Sequence, residues 1–251
     1  MTDLSTYNGA ALRLTRYALS LMKKIFNLTY WFLIGLGSAA LLVLTAAFLY
    51  LNPQIPDTRS FSEVALKAPL RIYSDDGLLI QEFGERLTPV TFEEIPPLFI
   101  KALLDTEDKR FFEHSGIDVV TLVNATWQLV RNRGRIRTGA STITMQLVKN
   151  ISGDIEVRFL RKFKEMLLAI KIERELSKEQ ILTLYLNIIP FGKHAFGIQA
   201  AANTYYGKDV DQLSLAQLAM LAGIPQAPEA GNPINGPRRS ITRRNLVLLR
   251  T

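Results

Sequence analysis

Residues 96–116 read PPLFIKALLDTEDKRFFEHSG, and the fold turns on how that stretch is taken. Two prolines suit the first turn of a helix, where an N–H has no partner anyway, and a glycine suits the exit. At helical spacing Ile100, Leu103, Leu104 and Phe111 make one apolar stripe, with His114 on its continuation. Glu107 stands in the middle of that stripe, where a leucine is expected. A carboxylate there is either tucked against apolar surface or lines a cleft. Partial burial disfavours its charged form and raises its pKa toward the range useful for proton transfer at neutral pH. The other reading turns Glu107 aside to pair with Lys109 or Arg110 on a solvated face.

From this helix onward nearly every segment reads as helix: Val119 to Val130, Thr142 to Asn150, Val157 to Leu176, Lys178 to Ile188, Ile198 to Tyr206 and Ser214 to Ala222. Ser177 with Gln180 three residues on is a capping-box signal, Pro190 stops the helix it opens, and Gly207 and Gly223 end the later ones. The expected class is mainly α from about residue 96 to the end. Residues 131–137, RNRGRIR, read as a solvated loop. Trp127 before them suits either a membrane interface or a small core.

Upstream, Leu70 to Ser74 and Leu78 to Phe83 flank Asp75, Asp76 and Gly77, a β-hairpin pattern. A lone hairpin is marginal in water, so it is expected to pair with strands outside this chain or to pack on the helical body. Ile25 to Pro56 carries no charge. As a helix, Leu28 to Leu51 extends about 36 Å, enough to span a hydrocarbon layer of about 30 Å. Arg13, Arg16, Lys23 and Lys24 precede it against Asp3 alone, which by the positive-inside rule puts the N-terminus in the cytoplasm and everything after Asn52 outside. A cleaved signal peptide with Thr45, Ala46 and Ala47 at its small-residue site is the competing reading, although such peptides have apolar regions of about 7–15 residues. The expected organisation is a tail at 1–24, an anchor at 25–52, a connector with the hairpin at 53–95, and a helical domain at 96–251.

The 251 residues are 48% hydrophobic, ample for a core, and include no cysteine, which excludes disulfides, thiolate nucleophiles and zinc–thiolate sites. Of the net charge of +7, residues 1–24 supply four positive and one negative, and the rest carries a modest +4. That excess is too small to argue for nucleic acid, and anionic lipid or a phosphorylated substrate is the more natural partner.

Three clusters carry candidate chemistry. The first is Glu107, Asp108, Phe111, His114 and Gly116. The second is residues 139–146, GASTITMQ, with Lys149 and Asn150 after it. Thr142, Gln146 and Lys149 share one helix face while Ile143 and Leu147 share the other. A glycine and two hydroxyls at a helix start are a natural place for an anion, or simply a cap. The third is Arg161, Lys162, Lys164, Glu165 and Lys171, a second acid beside a cationic strip, unless Arg161 and Glu165 are only a surface pair four residues apart. One glutamate on an apolar stripe and another among cations are expected to have pKa values pushed apart, as acid/base division of labour requires.

Glu107, Asp108, Phe111, His114 and Gly116, then Gly139 to Gln146, then Arg161, Lys162 and Glu165, then Lys178, Ile181, Leu182, Tyr185, Leu186 and Asn187 resemble successive motifs of the peptidoglycan glycosyltransferases, family 51. The order continues through Tyr206-Gly207-Lys208 and Ala222-Gly223-Ile224-Pro225. The hairpin, Ala227-Pro228, Asn232-Pro233 and Arg243-Arg244-Asn245 are more similar to class A penicillin-binding proteins, where a transpeptidase domain follows, than to monofunctional members. The resemblance implies a lysozyme-like, two-lobed helical glycosyltransferase domain on the outer, periplasmic face of the bacterial cytoplasmic membrane, held by one transmembrane helix. Its partners would be lipid II, the growing glycan strand, membrane lipid and other proteins of cell-wall synthesis.

In that family Glu107 matches the catalytic base, which takes the proton from the acceptor 4-hydroxyl. Glu165 matches the second acidic position of the catalytic pair, which helps to position the donor pyrophosphate, directly or through a metal. Asp108, Ser141, Thr142, Gln146, Lys149, Arg161 and Lys164 fall at substrate-contacting positions, and a divalent cation, magnesium or manganese, is expected with the pyrophosphate. Many members carry paired glutamines where this chain has Met145 and Gln146, so Met145 is expected to be packed and Gln146 to do the contacting. A lysozyme-like muramidase is the alternative enzyme class; it would keep Glu107 but lack the cationic strip.

Overall fold

The computed structural model describes residues 4–51, 70–73, 79–83, 86–132, 139–152 and 158–251. They belong to two units divided between Ile55 and Pro56. In the first, helix α1 runs unbroken from Leu4 to Leu51. Its stretch Leu19–Tyr50 is long and apolar enough to cross a membrane, with Leu28, Trp31, Phe32 and Leu42 exposed along it. The helix is continuous through the expected boundary at 24/25, because Lys23 and Lys24 favour helix as well as the apolar residues that follow.

In the second unit β1 (Leu70–Tyr73) and β2 (Leu79–Phe83) form the expected antiparallel hairpin, and among the described residues they pair only with each other. The turn at Asp75, Asp76 and Gly77 lies outside the described residues. Strand β3 (Arg86–Leu87) pairs in parallel with β4 (Ala195–Phe196), a contact too short to leave any period-2 pattern in the sequence. After a 3₁₀ turn at Phe92–Glu94 come α2 (Pro97–Glu107), α3 (Val119–Arg131), α4 (Ile143–Ser152), α5 (Arg158–Glu175), α6 (Lys178–Ile188) and α7 (Ile198–Tyr206). A second 3₁₀ turn (Val210–Gln212), α8 (Leu215–Gly223), the single turn α9 (Pro228–Gly231) and α10 (Pro237–Arg250) complete the unit.

The mainly α architecture is the expected one, and the expected helices start and stop within a residue or two of where they were read. Two differences bear on the site. Helix α2 ends at Glu107, so His114 is not on its stripe; Asp108 leaves the helix at φ −157° because its carboxylate is engaged elsewhere. Helix α10 was not anticipated as an element, although Pro237 directly after Gly236 marks its first turn.

Helix α8, LAQLAMLAG, is buried from Leu218 to Gly223, and its small residues let α2 and α10 pack closely on either side. From α2, Phe99, Ala102 and Leu103 enter this core. Ile181, Leu182, Tyr185 and Leu186 form the buried stripe of α6, against which α4 packs with Ile143, Met145, Leu147 and Val148. Each such large apolar side chain contributes about 1.5–3 kcal/mol, enough to carry one poorly solvated carboxylate at the end of α2.

Asn187 ties the segment before α2 to α6: Val90 N–H donates to its Oδ1 at 2.8 Å, and its Nδ2 donates back to Val90 O at 2.9 Å. With the β3–β4 pairing this makes residues 86–95 part of the helical body, not of a connector that stops at 95. Trp127 on α3 is 63% exposed, which excludes the small-core reading.

Candidate active site

Glu107 closes α2 with its side chain only 11% exposed. Gln146 Nε2, on α4, donates to Oε2 at 3.2 Å. The same amide accepts from the Tyr185 hydroxyl of α6 at 2.9 Å, so a chain of two hydrogen bonds orients the carboxylate from the core outward. Oε1 has no hydrogen-bond partner among the described residues and lies 3.6 Å from Arg243 Nη2 of α10. Burial pushes the Glu107 carboxyl above its ordinary value, while the Gln146 bond and the Arg243 and Arg250 charges pull against that rise. The alternative in which Glu107 pairs with Lys109 or Arg110 does not hold. Arg110 instead pairs with Asp118, whose carboxylate caps α3 by accepting from Thr121 N–H at 2.9 Å.

The carboxylate beside it has a different task. Asp108 Oδ2 accepts from Ile143 N–H, the first turn of α4, at 2.9 Å, and both its oxygens lie 3.0–3.1 Å from His114 Nε2. His114 Nδ1 accepts from Gly116 N–H at 3.2 Å, which places the ring proton on Nε2, where it donates to Asp108. The anion that the start of α4 was expected to attract from a substrate is thus the protein's own Asp108. Thr142, also buried, donates its hydroxyl to Gly116 O at 2.6 Å and accepts from Met145 N–H. Gly116 has φ +91°, and a Cβ there would sit 2.8 Å from Ala169 O, so only glycine fits.

Glu107, Asp108, Lys109 and Arg110 line one side of a cleft of about 180 Å³ whose other side is Gly139 to Thr142. Ser141, on that far side, accepts from Lys162 Nζ at 2.8 Å. Lys162 also donates to Glu165 Oε2 at 3.1 Å, and Arg161 Nε lies 3.5 Å from Glu165 Oε1. The second acid is therefore buried among cations of its own helix, as expected. Lys164 is half-buried on α5, and Lys149 is exposed on the last turn of α4. Lys178 donates to His114 O and Glu173 and lies over the Phe111 ring at 4.3 Å, fastening α6 beneath the turn that carries His114.

The described residues contain no group of three metal-ligating side chains, and the Glu165 oxygens face a lysine and an arginine. On their own, these residues do not form a cation site.

Of the expected site residues, the structure gathers Glu107, Asp108, Ser141 and Thr142 around one cleft, with Gln146 behind Glu107 and Glu165 and Arg161 joined to the far wall through Lys162. Met145 is buried as expected, and the Gln146 amide bonds Glu107 and Tyr185. Sequence reasoning missed Arg243. It was quoted only as part of a run, and nothing local connects it to a residue 136 positions earlier.

The family described as Transglycosylase matches residues 76–251, and the chain belongs to it. Among similar proteins, Penicillin-binding protein 1A of Pseudomonas aeruginosa is 48% identical over 228 residues, 90% of this chain and 28% of that protein. Penicillin-binding protein 1A of Escherichia coli is 45% identical over 219 residues, 87% of this chain and 25% of that protein. The chain thus spans about a quarter of the length of these relatives. A crystal structure of Penicillin-binding protein 1A from Haemophilus influenzae matches 74% of this chain and 18% of its own at 30% identity and a TM-score of 0.42.

Proposed function

We propose that this chain is a peptidoglycan glycosyltransferase that polymerises lipid II into glycan strands, with Glu107 as general base. The observation that carries the reading is the Glu107 carboxylate, 11% exposed on the wall of a cleft, one oxygen held by Gln146 and the other without a hydrogen bond among the described residues. The acceptor 4-hydroxyl attacks the donor anomeric carbon while its proton passes to Glu107. The carbon–oxygen bond to the lipid diphosphate breaks, and the electron pair leaves with undecaprenyl diphosphate. A positioned base contributes about 10²–10⁴ in rate.

Lys162 and Arg161, beside Ser141 and Glu165 on the far wall, supply positive charge for the departing diphosphate. Ser141, Lys149, Arg161 and Lys164 are proposed to touch substrate. Asp108 and Thr142 hold the cleft together, and Gln146 orients the base. Diphosphate leaves without an enzyme acid, whereas hydrolysis of finished glycan needs a carboxylic acid to protonate the leaving oxygen and, in the usual case, a carboxylate partner nearby. The neighbouring carboxylate, Asp108, is committed to Ile143 and His114, which supports transfer over a muramidase. A magnesium or manganese ion enters this proposal only as company of the substrate diphosphate, and no step is assigned to it.

Helix α1 would keep the enzyme at the bacterial cytoplasmic membrane, with the second unit on its outer face, where a polyprenyl substrate also stays. Continuation into a transpeptidase, as in class A penicillin-binding proteins, belongs to the same proposal. The test supplies the detergent-solubilised protein with labelled lipid II and, separately, with finished peptidoglycan. Polymer from the first, lost in Glu107→Gln, is expected; fragments from the second alone would overturn the reading.

A further inference from the structure

Gly223, the last residue of α8, has no assigned part in the chemistry above. A Cβ at that position would lie 2.8 Å from Arg243 Cγ, so the bare glycine backbone is what the arginine stem lies upon. The stem then carries its guanidinium inward from α10 until Nη2 is 3.6 Å from Glu107 Oε1, with the Arg243 side chain only 19% exposed. Arg243 also lines a cavity of about 380 Å³ with Gly223, Arg238 and Arg239. Gly223 and Arg243 therefore behave as one device, a gap and the side chain that fills it.

We propose that Arg243, seated over Gly223, is a positioning residue that keeps the buried Glu107 carboxylate ionised and aimed into the cleft. The inference rests on Glu107 being the base. The charges around that carboxylate are few. Asp108, its chain neighbour, opposes ionisation, and Arg243 and Arg250 of α10 favour it. From α6 comes Tyr185, kept protonated by burial; from α4, only the neutral Gln146 amide; α8 brings no ionisable side chain. Arg243 is the only one of these cations with an ion pair to Glu107 among the described residues. A lysine would keep the charge but lose the planar fork that fixes its direction.

The experiment compares the full chain with Arg243→Gln, Arg243→Lys and Gly223→Ala, after circular dichroism has established that each is folded. Two quantities are read: the acid limb of kcat/KM against pH with lipid II, and the Glu107 carboxyl band in infrared difference spectra, assigned with isotope-labelled glutamate and Glu107→Gln. Removing the guanidinium should move both the limb and the band titration upward by about one pH unit, which is about a tenfold loss of rate on the acidic side, with KM little changed. Arg243→Lys should recover part of the shift, and Gly223→Ala should reproduce part of it while Arg243 is still present. If Glu107→Gln is inactive but limb and band stay at their wild-type positions in the folded variants, the positioning role is wrong and the base assignment stands. If Glu107→Gln turns over lipid II like the parent, the base assignment falls and this inference with it.

Discussion

Asp108 Oδ2 lies 2.9 Å from the backbone nitrogen of Ile143, so the turn that leaves Glu107 is pinned to the first turn of α4. Both walls of the cleft are set by that contact. Asp108→Asn keeps the shape but weakens charge-assisted bonds to Ile143 and His114. It is expected to cost about 1–3 kcal/mol in denaturant unfolding and to lower kcat more than it raises KM.

Tyr185 reaches Glu107 through one amide. In Tyr185→Phe the Gln146 side chain loses the bond that fixes its direction, so stability should fall by about 0.5–1.5 kcal/mol and kcat by several-fold. Burial raises the Tyr185 hydroxyl well above its ordinary value, so it stays a donor across the working range. The ratio of variant to parent rate should therefore be flat from about pH 6 to 9.

Glu107 and Asp118 make opposite contributions to stability against pH. The Glu107 value is raised by burial, so its contribution is full below the ordinary glutamate value and is lost as pH rises through the raised one. Arg110 and Thr121 hold the Asp118 carboxyl well below the usual range, so its contribution is present above the ordinary aspartate value and is lost as pH falls through the depressed one. Thermal unfolding midpoints should then fall more gently with rising pH in Glu107→Gln than in the parent, just above the ordinary glutamate value. Asp118→Ala should lose the acid-side dependence and about 0.5–2 kcal/mol from the missing cap of α3.

Gly116→Ala puts a methyl 2.8 Å from Ala169 O at a φ of +91°. A loss of about 1–3 kcal/mol is expected, read as a lower thermal midpoint. A midpoint equal to the parent's would mean that the α5 backbone yields there at no cost.

Much of this was legible in the sequence, for local reasons. The stripe Ile100, Leu103, Leu104 singled out Glu107 because a helix displays its misfit within seven residues. Ser177 and Gln180 fixed the start of α6 in the same way, and the capping box is present. The Asp108, His114 and Gly116 group was visible as a cluster, but not its task, since a carboxylate at the start of a helix looks the same whether the helix belongs to its own chain or waits for a ligand. Arg243 was illegible because the gap it needs, Gly223, reads in sequence only as a helix end. Arg158, Lys162 and Lys164 share one basic run, and only the fold singles out Lys162 as the bridge from Ser141 to Glu165.

The reciprocal bonds between Val90 and Asn187 join residues 97 positions apart and enclose both Glu107 and Glu165 in the loop they close. A chain that stopped before residue 185 would lack both the clasp and the strut that Tyr185 gives Glu107 through Gln146. Assembly of the cleft therefore has to wait for α6 to emerge, whatever the earlier helices have done by then.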